Sequence, residues 1–218
     1  MPTALILGAT GLVGKSLLPL LLEAEEFTTV KAISRRPTGI DHPKLEEVLI
    51  DFDQPEQWQA LVEGNVLFST FGTTLAQAGS KEAQYKVDFT YQYQVAEAAA
   101  SHGATDYVLV STLGASPGSP FFYPRIRGQL DQAVRALPFE RIRILKPSVL
   151  VGERPTERTG ESWSIRIMSA LDWVPFIRKY RPIPGEVVAR AMLAAYRQGR
   201  DRAFAEYELE EVFELAGE

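Results

Sequence analysis

The stretch "LILGATGLVGKS", Leu5 to Ser16, decides how the rest of the chain is read. A short apolar run without alternation ends at Gly8, as in a strand buried on both faces. Glycines follow at three-residue spacing, Gly8, Gly11 and Gly14, and then Leu17, Leu18, Leu21 and Leu22 mark one side of a helix. In a strand–turn–helix unit each glycine has its own reason. Gly8 permits the tight turn, Gly11 lets backbone approach a diphosphate, and Gly14 lets the helix pack on the strand. The helix start then offers free N–H groups and partial positive charge to an anion. The spacing in isolation is weak, but its place in such a unit makes it a strong dinucleotide signal.

Outward from this unit, Val30–Ser34, Leu45–Ile50, Val66–Ser69, Tyr107–Ser111 and Arg141–Leu145 read as further strands. Helices are expected over Leu12–Glu25, Gln54–Val62, Lys81–His102 and Pro124–Leu137. This alternation predicts an α/β fold, a Rossmann-type doubly wound parallel sheet with helices on both faces. Its ligand would bind outside the carboxyl ends of the strands. After Pro147 the alternation weakens. A turn-rich "GERPTERTGE" precedes a helix at Ser162–Leu171, then the proline-broken "DWVPFIRKYRPIPG", a helix at Glu186–Arg197 and a last short helix carrying Leu209, Val212, Phe213 and Ala216. Residues 1–218 are thus read as one domain, with 147–218 forming a small cap on the substrate side. Trp163, Trp173 and Phe176 of that cap would line a pocket or pack a core.

Composition bounds the function. The 218 residues are 45% hydrophobic and 23% charged, as in a folded globular protein. A net charge of −5 gives no global attraction to nucleic acid or anionic lipid. Cysteine is absent, which removes disulfides and thiolate metal sites. His42 falls in a loop and His102 near a helix end, with no metal-ligand spacing between them. The apolar N-terminal stretch lacks a basic start and is broken by glycines before a membrane span accrues, so a cytoplasmic protein is expected.

The second strand ends "ISRRP", placing Ser34, Arg35 and Arg36 where an NAD site usually offers a carboxylate to the ribose 2′-hydroxyl. Two guanidiniums suit a 2′-phosphate instead, which favours NADP(H) over NAD as the nicotinamide dinucleotide.

With these residues in view, the sequence resembles an atypical short-chain dehydrogenase/reductase. Within that superfamily it is similar to the Tat-interacting-protein branch of NADPH-binding proteins and its bacterial relatives. The resemblance runs through "GATGLVG", "SRRP", "DFD", "FGTT", "YKVDFTY", "VSTLGA", "FYPRIRGQLD" and "LKPSVLVGERPTERTGE". It implies cofactor contacts at Gly8, Thr10, Gly11, Leu12 and Val13, and at Ser34, Arg35 and Arg36 for the 2′-phosphate. It further implies Asp51 and Phe52 at the adenine edge, Phe71, Gly72 and Thr73 beside the ribose, and Lys146, Pro147 and Val149 beside the nicotinamide.

In that superfamily a tyrosine hydroxyl protonates the substrate carbonyl oxygen, a lysine four residues on lowers its pKa, and a serine positions the oxygen. Ser111 and Tyr123 match two of these parts, and Arg127 fills the lysine's position. Arginine keeps the charge but cannot lose a proton. Pro124 also disfavours helical angles at Tyr123, so the helix is expected to start at about that residue. Two readings stand: a reductase of an unknown small carbonyl or quinone substrate, and an NADPH-binding protein that uses the nucleotide structurally or as a redox signal while engaging a protein partner. Sugar-nucleotide epimerisation is disfavoured by the short C-terminal region.

Overall fold

A computed structural model describes residues 2–152, 180–198 and 201–218. Seven strands lie side by side, all parallel, in the order β3-β2-β1-β4-β5-β6-β9. They are β1 (Thr3–Leu7), β2 (Thr29–Ser34), β3 (Leu45–Leu49), β4 (Val66–Ser69), β5 (Asp106–Val110), β6 (Arg141–Lys146) and β9 (Phe204–Glu208). A separate parallel pair joins β7 (Leu150–Val151) to β8 (Ile183–Pro184). The order reverses between β1 and β4, so the crevice at their carboxyl ends is the switch point where such sheets take ligands.

Alternation along the central strands divides the core. Ala4, Ile6, Val66, Phe68, Val108 and Val110 face one side and pack against α1 (Gly14–Glu23), α7 (Gly185–Arg197) and α8 (Glu210–Ala216). Leu5, Leu7, Leu67, Tyr107, Leu109, Ile142 and Ile144 face the other and meet α5 (Gln92–Ser101) and α6 (Phe122–Val134). Short helices α2 (Pro55–Trp58), α3 (Leu75–Ala78) and α4 (Lys81–Tyr85) connect the strands. Between α4 and α5 the chain runs through a π-helical stretch, Lys86–Tyr91, so the expected long helix is continuous but widened in the middle. Such widenings are frequent at functional sites.

Three features depart from the sequence reading. Phe204–Glu208, half-buried and rich in glutamate, gives no periodic signal, yet it completes the sheet beside β6. Residues 185–216, assigned from sequence to a cap, supply two helices and a strand of the main layered body. Helix α6 begins at Phe122, so Tyr123 lies within its first turn and Pro124 is its third residue. Proline is tolerated there because the first turn's N–H groups have no helical acceptor. The helix at Ser162–Leu171, most of the two turn-rich stretches, and Trp163, Trp173 and Phe176 lie outside the described residues.

Tyr196 of α7 packs against Phe27 at 5.4 Å and Phe68 of β4 at 5.7 Å between ring centroids. Tyr196→Ala is expected to lower the stability of the main unfolding transition by about 3 kcal/mol in urea denaturation. An unchanged midpoint would show that α7 is energetically separate from the sheet.

Candidate functional site

The glycine turn is held by both neighbours of the switch point. Gly8 has φ +90°, and a Cβ there would lie 2.8 Å from the Phe71 nitrogen. A Cβ on Gly14 would overlap the Gly8 carbonyl. Gly11 N donates to Gly8 O at 2.9 Å, while Thr70 donates from N to Leu7 O at 2.9 Å and from Oγ1 to Gly8 O at 3.0 Å. The first turn of α1 carries no side-chain cap and no acid. The helix's positive end therefore meets no acidic side chain of its own first turn, and the turn fits a diphosphate. Thr10 is exposed, Gly8, Gly11 and Leu12 are half-buried, and Val13 faces the core, leaving only its backbone for such a contact.

At the end of β2, Ser34 Oγ donates to Arg36 O at 2.6 Å, fixing a turn on which Arg35 and Arg36 stand exposed. Asp51 builds the next turn: its carboxylate accepts from Asp53 N at 3.0 Å and Gln54 Nε2 at 2.7 Å, and its carbonyl accepts from Trp58 Nε1 at 2.9 Å. The Phe52 ring is buried, with centroids 5.1 Å from Phe71 and 5.0 Å from Tyr91 in stacked geometry. Asp53, not singled out in the sequence, accepts from the Tyr91 hydroxyl at 2.6 Å and lies 2.5 Å from Lys86 Nζ. Gly72 is exposed, and Thr73 N donates to Asp88 Oδ1 at 3.3 Å.

Ser111, Tyr123 and Arg127 lie on β5's carboxyl end and the first two turns of α6. Tyr123 is 38% exposed while Arg127, one turn on, is 2% exposed. The guanidinium donates to Val110 O and, at 3.5 Å, to Asp88 O, and stands 3.6 Å from the Asp88 carboxylate. Burial opposes its charge, but Tyr123, then Asp88, Asp131 and Tyr107, more than offset this and raise its pKa. Ser111 Oγ donates to Asp131 Oδ2 at 2.8 Å, and burial pushes the Asp131 carboxyl up against the opposing charge of Arg127. Burial likewise drives Asp88 up to about 6, with Arg127 and hydrogen bonds acting the other way. Lys146 is 7% exposed and pairs with Glu206 at 3.1 Å and Glu208 at 3.7 Å. Pro147 is buried and Val149 exposed. Among the described residues no cluster of His, Asp or Glu could hold a metal ion, and no helix is long and apolar enough to cross a membrane.

A family model described as NAD(P)H-binding matches residues 8–137, from the glycine turn to the end of α6. The chain belongs to the NAD(P)H-binding family. Within that family it is of the atypical short-chain dehydrogenase/reductase type. Full-length similarity supports the same placement. The protein "FMP52-1, mitochondrial" of Scheffersomyces stipitis is 35% identical over 98% of both chains. The protein "FMP52, mitochondrial" of Meyerozyma guilliermondii is 36% identical over 87% of this chain and 83% of its own. These names overturn the expectation of a cytoplasmic protein, which rested only on the lack of a recognisable N-terminal signal. Among solved structures, the Bordetella bronchiseptica enzyme WbmH in complex with NAD+ superposes with TM-score 0.69 at 15% identity, over 95% of this chain and 75% of its own. The oxidoreductase ylbE of Lactococcus lactis gives 0.57 at 20%, over 71% and 72%. Both show a shared fold.

In this NAD(P)H-binding chain the sequence pointed to the turns and missed the buried carboxyls behind them. Asp131 lies four residues after Arg127 within "FYPRIRGQLD", a spacing that puts both on one helix face. Asp88 sits inside "YKVDFTY", where the π-helical stretch hides it from a simple 3.6-residue reading. The folded value at Asp88 exceeds that of an unfolded carboxyl, so its neutral form favours folding. That contribution is full below about pH 4 and lost as pH rises through about 6. The stability difference between wild type and Asp88→Asn, read from urea midpoints, should therefore shift against the wild type between pH 4 and pH 7. A constant difference would show that Asp88 titrates as in the unfolded chain.

Proposed function

We propose that the chain is an NADPH-dependent reductase of a small carbonyl compound or quinone, allied to the Tat-interacting-protein branch. The observation that carries this reading is the half-open tyrosine set against a permanently charged, fully buried arginine, with a serine hydroxyl at the adjoining strand end. Bound at the glycine turn, the reduced nicotinamide would supply hydride to the substrate carbon. Tyr123 gives a proton to the oxygen, and the charge of Arg127 stabilises the phenolate left behind. Ser111 positions that oxygen. Arg127 acts through its charge, with its two terminal nitrogens bonded to Asp88 and Val110.

The pair Arg35 and Arg36 supports NADPH over NADH: both are exposed on a turn fixed by Ser34, at the strand end that faces the adenosine ribose in this fold. The assignments of Asp51, Phe52, Phe71, Gly72, Thr73, Lys146, Pro147 and Val149 belong to the same reading. For Asp51 and Phe52 it rests on backbone contact, since their side chains serve the local turn and the aromatic cluster.

A second reading has its own support. Ser111's proton points to Asp131 and Arg127's donors point inward, as in a site that holds the nucleotide without turning it over and engages a protein partner.

Arg35→Ala combined with Arg36→Ala should weaken NADPH about 10- to 100-fold, the effect of losing charge-assisted hydrogen bonds, and leave NADH little changed. Equal losses in a fluorescence titration refute the 2′-phosphate assignment. Tyr123→Phe should abolish NADPH oxidation across a panel of carbonyls and quinones while NADPH affinity stays at the wild-type level. A fully active variant removes Tyr123 from the chemistry, and a wild type inert towards the whole panel favours the second reading.

A further inference from the structure

A reductase that consumes a proton at each turnover must replace it from water, and Arg127 cannot carry it. Its guanidinium does not deprotonate, and it is sealed from solvent. The structure holds another path on the same side of the sheet. Between α6 and the edge strand β9 lies a groove of about 720 Å³, bordered by Ser116, Gly128, Asp131, Arg135, Lys146 and Glu206. Asp131 stands where this groove meets the strand ends. The residue is 5% exposed; its Oδ2 accepts from Ser111 Oγ at 2.8 Å, while its buried Oδ1 has no hydrogen-bond partner. One carboxyl thus touches the positioning serine on one side and borders the groove on the other.

We propose that Asp131 is the proton-supplying residue behind Ser111 and that the groove along β9 is its channel to water. The inference rests on the reductase reading above and names how that site is reprotonated. A bound reduced nicotinamide would supply hydride to the carbonyl carbon, the C=O π pair would move onto oxygen, and oxygen would take the proton of Tyr123. The Tyr123 phenolate then regains a proton through Ser111, Ser111 takes one from the Asp131 carboxyl, and Asp131 takes one from water in the groove. The net change is one hydride and one proton added to the carbonyl. Asp131 acts through Ser111 and is a positioning and relay residue.

The charges around Asp131 suit a group that must both hold and release a proton. Arg127 on α6 and Lys146 on β6 favour its ionised form; burial and Glu206 on β9 favour the neutral one. Gln132 of α6 and Arg135 just after it border the same groove, and Tyr107 of β5 is within electrostatic reach. Lys146 pairs with Glu206 at 3.1 Å and with Glu208 at 3.7 Å. At Gly128, an added Cβ would overlap the backbone of Ser116, so the loop after β5 lies directly on α6 and roofs the groove next to Asp131.

The test is steady-state NADPH oxidation against the carbonyl and quinone panel, as a function of pH and in light and heavy water. It compares wild type, Asp131→Asn, Asp131→Glu and Ala136→Trp. In the wild type kcat should fall as pH rises through the titration of Asp131, because the protonated carboxyl is the donor. Asp131→Asn should lose that alkaline limb and drop about 10- to 100-fold in kcat with an unchanged KM for NADPH, and Asp131→Glu should restore the limb. Ala136→Trp narrows the groove from a surface position away from Tyr123 and Ser111. It should lower kcat and enlarge the solvent isotope effect while NADPH affinity holds. Wild-type pH dependence in Asp131→Asn overturns the proposal. If that variant does not fold, an unaltered rate and isotope effect in Ala136→Trp overturns it instead. A wild type without turnover on any acceptor overturns the reductase reading, and the relay falls with it.

Discussion

The turn at Gly8 fixes everything placed at the ligand edge. Its left-handed backbone sends the chain from β1 directly under the Thr70–Phe71 segment that leaves β4, with no room for a Cβ between them. Thr70 ties the two by three bonds, from its nitrogen to Leu7 and from its hydroxyl to Leu7 and Gly8. Because β1 and β4 are neighbours across the switch point, this contact sets where the N-terminus of α1 points and how Phe71, Gly72 and Thr73 are presented. The same clamp reaches the far side through Gly185, where a Cβ would lie 2.6 Å from Leu12 O, so α7 also docks on the turn.

A second chain of contacts links the turn to the tyrosine. Thr73 N donates to Asp88 Oδ1, Asp88 faces Arg127, and Arg127 reaches Val110 at the end of β5. Ser69 joins the network through Gln92, whose Nε2 donates to the Asp88 carbonyl at 3.0 Å. The π-helical widening at Lys86–Tyr91 frees that carbonyl region to accept from two side chains. Asp88 Oδ2 and Arg127 Nε remain without hydrogen-bond partners inside this network, so the chain is held by the bonds named and by the opposite charges of Asp88 and Arg127. The Phe71–Thr73 loop and the first turns of α6 are therefore linked through Asp88.

How much of this could be read from sequence differs by element. The central strands announced themselves because burial on both faces leaves short unalternated apolar runs, and "ALIL" and "VLFS" have no polar residue until their carboxyl ends. β9 was hidden because an edge strand has one covered neighbour and half-exposed faces, so "FAEYE" carries the charge of a surface. The glycine turn and the arginine pair were legible since their chemistry is local. Asp88 and Asp131 were not, since their meaning depends on which strand ends they meet, and that is set by the crossovers. The start of α6 lies one residue before the expected Tyr123 for a local reason: Phe121 holds the extended angles at φ −87°, ψ 135° and Phe122 opens the helix, which leaves Pro124 as its third residue.

An arginine at position 127 suits where the side chain is held. A buried ammonium would be pushed towards neutrality by desolvation, and it offers no planar fork to two carbonyl oxygens at once. The guanidinium meets Val110 and Asp88 together and keeps its charge in full burial, with Tyr123 the largest of the groups that hold it there. That makes the positive field at the tyrosine independent of pH over the physiological range. Proton exchange in this part of the site then falls to groups that can titrate, and burial pushes the two carboxyls near Arg127 upward. Asp88 accepts from Thr73 N and Gln92 Nε2, whereas Asp131 borders the groove beside β9. Of the pair, Asp131 is the one that touches Ser111 and lines that groove.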